Sequence, residues 1–236
     1  MKYWIDKIKY GFESLLDLLY PRLCLSCAAR VETSEDILCL SCRSLTIPTD
    51  QHLHEDNEFV RHFKGRVPLS AGAALYYYVS GGVISGIVGQ IKYRGRKDLA
   101  YKLGIYYGEM LREASLFHGA ELIIPVPLHP LREKKRGYNQ SLEFAKGLAE
   151  SMSLTVAADV IVRKRHTETQ TARDRNHRAQ NMQDAFVLAR PEKIENRHLL
   201  LVDDVLTTGA TLDGCATALL QGSPASLRMA TIAMGH

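Results

Sequence analysis

No apolar run in the sequence approaches the roughly 20 residues that a helix needs to cross a bilayer, so no membrane span is expected. No leader is expected either. Lys7, Lys9, Glu13 and Asp17 interrupt the apolar positions at the amino terminus, and no small-residue cleavage site follows. There is no large excess of one charge: the formal net charge of +4 permits an anionic partner without demanding one. Nor is the chain short of apolar residues in the way disordered chains are. At 46% hydrophobic and 24% charged, it carries enough apolar surface to offset the entropy of ordering it. These absences leave a cytoplasmic globular chain as the expectation, with room in 236 residues for one α/β domain and a small appendage.

At the amino terminus, Trp4, Ile5, Ile8, Phe12, Leu15, Leu16 and Leu19 recur at helical spacing and predict an amphipathic helix over residues 1–20. That helix packs on its own protein or, as the lesser alternative, lies on a membrane surface. Cysteine is scarce but clustered. Cys24, Cys27, Cys39 and Cys42 form two Cys-x-x-Cys pairs separated by eleven residues, while Cys215 stands apart in an apolar helical run as a core residue. Two tight turns that each present a pair of thiolates complete the tetrahedral shell Zn²⁺ prefers, and four thiolates leave no open position, so the expected role is structural. Two disulfides are the competing reading, but they would require an exported chain. The module is placed at residues 21–47.

Residues 46–67 are polar and patternless, with His52, His54 and His62 scattered among them, and 48–67 reads as a linker. From 68 to 236 strands alternate with helices. Strands are expected at 71–79, 121–126, 156–162, 198–202 and 227–233, and helices at 83–92, 99–112, from about 140 to 150, and from near Leu212. Such alternation implies a mainly parallel sheet flanked by helices, whose ligand sites lie at the carboxyl ends of the strands. Pro127 and Pro130 forbid a ladder or a helix between them, so the chain should leave the second strand as a fixed loop.

The most informative stretch is 199–211. An apolar strand delivers Asp203 and Asp204 to its end, and a turn rich in hydroxyls, with Thr207, Thr208, Gly209 and Thr211, feeds the next helix. Backbone N–H groups and a helix amino terminus hold a monophosphate well, threonine hydroxyls add donors, and Gly209 allows the backbone to approach the anion. The adjacent carboxylates can accept from ribose hydroxyls.

This stretch resembles the phosphoribosyl-pyrophosphate (PRPP) signature of type I phosphoribosyltransferases: an apolar strand, two acids, two residues, then Thr-Thr-Gly-x-Thr. The tandem cysteine pairs, Lys92-Tyr93-x-Gly95, Ile124-Pro125-Val126-Pro127, Arg136-Gly137-Tyr138-Asn139-Gln140 and Thr169-Gln170 occur in the order seen in the ComF family. That family comprises zinc-finger and phosphoribosyltransferase-domain proteins associated with natural competence for DNA uptake. The resemblance implies a type I phosphoribosyltransferase fold behind a four-cysteine zinc module, with the catalytic positions at Asp203 and Asp204. It implies the PRPP 5′-phosphate on Asp204, Val205, Leu206, Thr207, Thr208, Gly209, Ala210 and Thr211, and the ribose on Asp203 and Asp204. The loop at Pro127 would face pyrophosphate, with Mg²⁺ bridging pyrophosphate and ribose oxygens. Charge alone suggests Lys92 and Arg94 near the same pocket.

Two functions follow from the resemblance. In one, the domain displaces pyrophosphate from PRPP with a nitrogen nucleophile, as in nucleobase salvage or with another acceptor. In the other, it is a PRPP-responsive module acting on single-stranded DNA with other competence proteins. Arg136, Tyr138, Arg163, Lys164 and Arg165 would then contact the nucleic acid. The second is favoured as the biological role. No general base and no base-recognition hood are visible.

Overall fold

The computed structural model describes residues 21–31, 37–163 and 185–235. The helix expected over 1–20 and the basic residues Lys164 and Arg165 lie outside them. The chain divides into two units, Met1–Leu45 and Thr46–His236.

In the first unit a tight turn carries the first cysteine pair. Ala28 adopts φ 61, and the turn closes through Cys24 N–H donating to the Ala29 carbonyl at 2.7 Å and Ala28 N–H donating to the Cys24 carbonyl at 3.0 Å. The second pair flanks the start of α1 (Leu40–Arg43), where Arg43 N–H donates to the Cys39 carbonyl at 2.8 Å. Among the described residues of this unit, Leu25, Val31 and Leu38 are the buried aliphatic side chains, too few for a core by themselves.

The polar run read as a linker is built into the domain. Tyr77 N–H donates to the Ile47 carbonyl at 2.8 Å and Thr49 N–H to the Leu75 carbonyl at 3.2 Å, so the chain lies along the first strand. Gln51 is buried and its side-chain oxygen accepts from Ala74 N–H at 3.0 Å. Asn57 caps α2 (Glu58–Phe63) by accepting from Val60 N–H, and Phe59 and Phe63, one turn apart, are fully buried. Gly72 makes room for this helix, because a Cβ there would stand 2.6 Å from the Phe59 ring. His52 is likewise a core residue, edge-on to Tyr107 with ring centroids 6.0 Å apart.

After α2 come β1 (Ala71–Tyr78), α3 (Val83–Tyr93), α4 (Lys97–Glu113), β2 (Leu122–Pro125), α5 (Pro130–Arg136), α6 (Gln140–Met152) and β3 (Thr155–Val156). Then follow β4 (Ile161–Arg163), β5 (Phe186–Leu188), β6 (His198–Leu206), α7 (Ala210–Leu220) and β7 (Ser226–Gly235). Five strands form one parallel sheet in the order β1-β7-β6-β2-β3. The apolar run Leu199–Val202 is fully buried in central β6, as a strand covered on both faces requires.

Two further expectations change. The strand expected over 156–162 is split: β3 ends the main sheet, and β4 pairs antiparallel with β5 in a separate two-stranded sheet. Between them Asp159 is held by Lys193 at 2.6 Å. The loop expected through Pro130 is instead the start of α5. Proline is tolerated at the first helical position, where its missing N–H would have had no partner. Gly137, at φ 80, ends that helix and redirects the chain into α6.

Helices α4 and α6 pack backbone to backbone. A Cβ on Gly147 would stand 2.1 Å from the Tyr101 carbonyl oxygen, and one on Gly104 2.3 Å from that of Phe144. This close approach fixes where the amino terminus of α6 meets the sheet.

Candidate functional site

The acid pair does not sit in the loop but within the last four residues of strand β6, and the loop proper starts at Thr207. Because β6 is flanked by β2 and β7, its carboxyl end opens beside that of β2, at the sheet edge where α/β folds place ligands. Val126 N–H donates to the Val202 carbonyl at 2.9 Å, tying the Pro127 loop to the acid-bearing strand.

The pair is held from three sides. Lys92 Nζ, at the end of α3, lies 3.1 Å from Asp204 Oδ1. Gln140 Nε2 donates to Asp204 Oδ2 at 3.0 Å, and Ser141 Oγ donates to Asp203 Oδ1 at 2.7 Å. Gln140 and Ser141 are delivered by the amino terminus of α6, where Asn139 caps Ser141 N–H at 3.0 Å and donates to the Val126 carbonyl at 2.9 Å. Burial, followed by the neighbouring Asp204 charge, pushes the Asp203 carboxyl up to about 7, although Ser141, the Asp204 N–H and Lys92 pull the other way. Two carboxylates this close to each other favour a shared proton or a cation.

After the strand, Gly209 takes φ 75 and leads into α7. A Cβ there would stand 2.5 Å from His62 Nε2 and 3.4 Å from the Phe63 ring, so α2 backs the turn and only glycine fits. A small cavity of about 200 Å³ follows the turn, lined by Asp203 and by Val205, Leu206, Thr207, Thr208, Gly209, Ala210, Thr211 and Leu212. It opens beside a cleft of about 670 Å³ whose wall includes Pro127, Lys92, both acids, Thr207 and Thr211. Three guanidinium groups, Arg132, Arg136 and Arg163, face the same cleft. Burial and then the charge of Arg132 lower the Arg163 pKa, as expected where cations converge without enough counter-charge.

The sequence-expected residues Asp203 to Thr211, Pro127 and Lys92 are thus brought together, with Arg136 and Arg163 beside them. Arg94 is exposed at the end of α3 and does not line the cleft. Tyr138 is half-buried, and its hydroxyl donates to the Ile91 carbonyl. Gln140, Ser141 and Arg132 are site residues that sequence reasoning passed over. Gln140 closes the Arg-Gly-Tyr-Asn-Gln element, and that was the available signal.

In the first unit, the Sγ atoms of Cys24, Cys27, Cys39 and Cys42 lie within 4.8 Å of one another, and those of Cys27 and Cys39 are 3.6 Å apart. Sulfur ligands about 2.3 Å from one tetrahedral ion have this spacing. Burial raises the Cys24 thiol pKa, but N–H groups of Cys27, Cys39 and Ser26 overcome it and draw the value down to about 6. Burial and the adjoining thiols push Cys42 up to about 12. Four thiolates therefore need a cation among them, and the donor set fits one.

A family model for the phosphoribosyl transferase domain matches residues 139–236. The chain is 37% identical over 107 residues to Competence protein F of Haemophilus influenzae, covering 44% of this chain and 47% of that protein. It is 30% identical over 149 residues to DNA utilization protein YhgH of Escherichia coli, covering 62% of this chain and 65% of that one. With Competence protein ComFC of Bacillus subtilis it shares 30% identity over 112 residues, 47% of this chain and 43% of that protein. The chain spans less than two thirds of the length of these curated relatives. A five-stranded parallel sheet with an acid pair near the end of its central strand, together with the domain match, gives the chain a type I phosphoribosyltransferase fold, and its relatives make it similar to the competence proteins of the ComF family.

Proposed function

We propose that the chain binds PRPP with Mg²⁺ at the carboxyl end of β6 and acts in DNA uptake in the cytoplasm, with single-stranded DNA as its macromolecular partner. One observation carries the reading: a hydroxyl-rich turn feeding a helix, an adjacent acid pair and four cationic side chains open onto the same cleft. Those parts match the phosphate, the ribose and the pyrophosphate of one molecule.

In this reading the 5′-phosphate accepts from backbone N–H groups of the 207–211 turn and from Thr207, Thr208 and Thr211, at the positive end of α7. The ribose hydroxyls donate to Asp203 and Asp204, which Ser141 and Gln140 hold in place. Arg163 faces the pyrophosphate, and Arg132 and Arg136 stand at its edge, on the border with the neighbouring cleft. Lys92 is the counter-ion of Asp204 in the meantime. When bound beside the Asp203 and Asp204 carboxylates, Mg²⁺ would supply charge neutralisation for the pyrophosphate. A Zn²⁺ ion on Cys24, Cys27, Cys39 and Cys42 would hold the first unit together. The DNA role rests on the names of the relatives, two competence proteins and a DNA utilization protein.

Equilibrium dialysis tests the ligand. PRPP should be retained with Mg²⁺ and lost when the metal is chelated, and both ribose 5-phosphate and pyrophosphate should displace it. Retention that ignores Mg²⁺ or resists both competitors would sink the reading.

A further inference from the structure

Beside the acid-lined cleft lies a second one of about 830 Å³, lined by Lys92, Tyr93, Gly95, Arg132, Lys135 and Arg136. It shares Lys92, Arg132 and Arg136 with the first, so a ligand in each would be neighbours. No carboxylate lines it. Glu133, on the same helix, does not face it, and Asp98 nearby is held by both Nε and Nη2 of Arg96, at 2.9 and 2.8 Å. Lys92 is answered by Asp204. Among the described residues, Arg132, Lys135 and Arg136 have no carboxylate partner.

Tyr93 sets the chemistry further. It ends α3 with 78% of its surface exposed, the most exposed large apolar side chain among the described residues. Gly95, at φ 69, turns the chain away beneath it. The Arg136 guanidinium stands 5.6 Å from its ring centroid, an arrangement that leaves an aromatic face beside a cation. A neutral nucleobase would meet the ring but leave the cations unanswered, and an inorganic anion would do the reverse. A nucleotide answers both, through base stacking and charge-assisted hydrogen bonds to phosphate.

We propose that this second cleft is a nucleotide subsite, with the base stacked on Tyr93 and the phosphate held by Arg132, Lys135 and Arg136. Its role as the neighbour of PRPP rests on the reading of the first cleft, whereas its affinity for nucleotides does not. The source is either a free nucleotide or the end of a nucleic-acid strand, which share this chemistry.

Calorimetric titrations of the full chain with thymidine 5′-monophosphate, thymine and a short thymidylate strand test it, each with and without saturating Mg²⁺ and PRPP. The monophosphate should bind and thymine should not, and PRPP should not displace the monophosphate. Tyr93→Ala should weaken monophosphate binding about ten-fold, with Tyr93→Phe restoring it. Lys135→Ala should weaken it by a smaller factor. Neither residue lines the first cleft, so PRPP affinity should stay unchanged in both variants. A strand no tighter than the monophosphate identifies a free nucleotide and a tighter one a strand end, and both uphold the proposal. Thymine binding as well as the monophosphate, wild-type affinity in both Tyr93→Ala and Lys135→Ala, or expulsion of the monophosphate by PRPP would overturn it. Loss of PRPP binding alone would strike the first cleft and leave the Tyr93 comparison intact.

Discussion

Asp203 shows how one residue can be set for a ligand at a cost to the protein. Its carboxyl is raised from 3.8 to about 7, by burial first and by the Asp204 charge second. Between those values the folded chain binds a proton that the unfolded chain has released, so stability is highest at low pH in this window and falls as pH rises through about 7. Asp203→Asn cannot ionise and should flatten that fall. Relative to the variant, the wild type is expected to lose about 2 kcal/mol between about pH 5 and about pH 8, since a tenfold change in proton affinity corresponds to about 1.4 kcal/mol before solvent screening. Chemical denaturation at both pH values checks it; parallel curves for the two proteins would refute the assignment. Asp203, Asp204 and the Thr-Thr-Gly-Ala-Thr turn were legible in the sequence because strand, acids, hydroxyls and glycine are contiguous. Ser141 and Gln140 were not, because they reach the pair from more than sixty positions away, and such distance leaves no local pattern.

Among the elements, α6 is the one that carries chemistry through packing. Its amino terminus presents Gln140 and Ser141 to the acids, and its position depends on the glycine contact with α4. Gly147→Ala would force the two backbones apart. The expected cost is about 2 kcal/mol of stability, in the range of overpacked cores, together with weaker PRPP binding. Thermal denaturation and titration of the same variant check both, and unchanged values would show that the helices can shift freely.

The Zn²⁺ ion proposed for the four-cysteine module would act on stability in a different way. Cys24→Ser or Cys39→Ser should abolish bound zinc, measured by atomic absorption, and raise amide exchange in residues 21–45. Exchange in the Thr46–His236 unit should stay as it was. Spread of fast exchange into the sheet would contradict that independence. Helices α3 and α4 were legible from their periodicity, and β6 from its continuous apolar run, although the strand extends past the expected 198–202 to Leu206. The segment 46–67 was not, because just three apolar residues, Phe59, Phe63 and Val67, are buried there, and polar Gln51, His52 and Asn57 make up the rest of its buried face. The sheet of β4 and β5 was hidden too, its strands of three residues being too short to show a period.

For the whole molecule, the sheet order puts the acid pair and its turn at the carboxyl ends of parallel strands, where such a sheet offers a ligand site, and they lie within the residues 139–236 that match the phosphoribosyl transferase domain. The cationic wall around the acid pair accounts for much of what a chain with a net charge of only +4 can concentrate in one place. That wall was visible in the sequence only as scattered basic stretches. Arg132, Arg136 and Arg163 come from α5 and β4, and only the fold brings them together.

The central claim is that the acid pair and its turn bind PRPP. It is tested most directly by calorimetric titration of Mg²⁺ and PRPP into the wild type and into Asp203→Ala/Asp204→Ala, whose removal of two crowded charges should leave the fold intact. Saturable, Mg²⁺-dependent binding in the wild type that falls by about a hundred-fold or more in the double variant is the predicted result, as expected when charge-assisted hydrogen bonds are lost at two positions. Equal binding by both proteins, or none by the wild type, would contradict it.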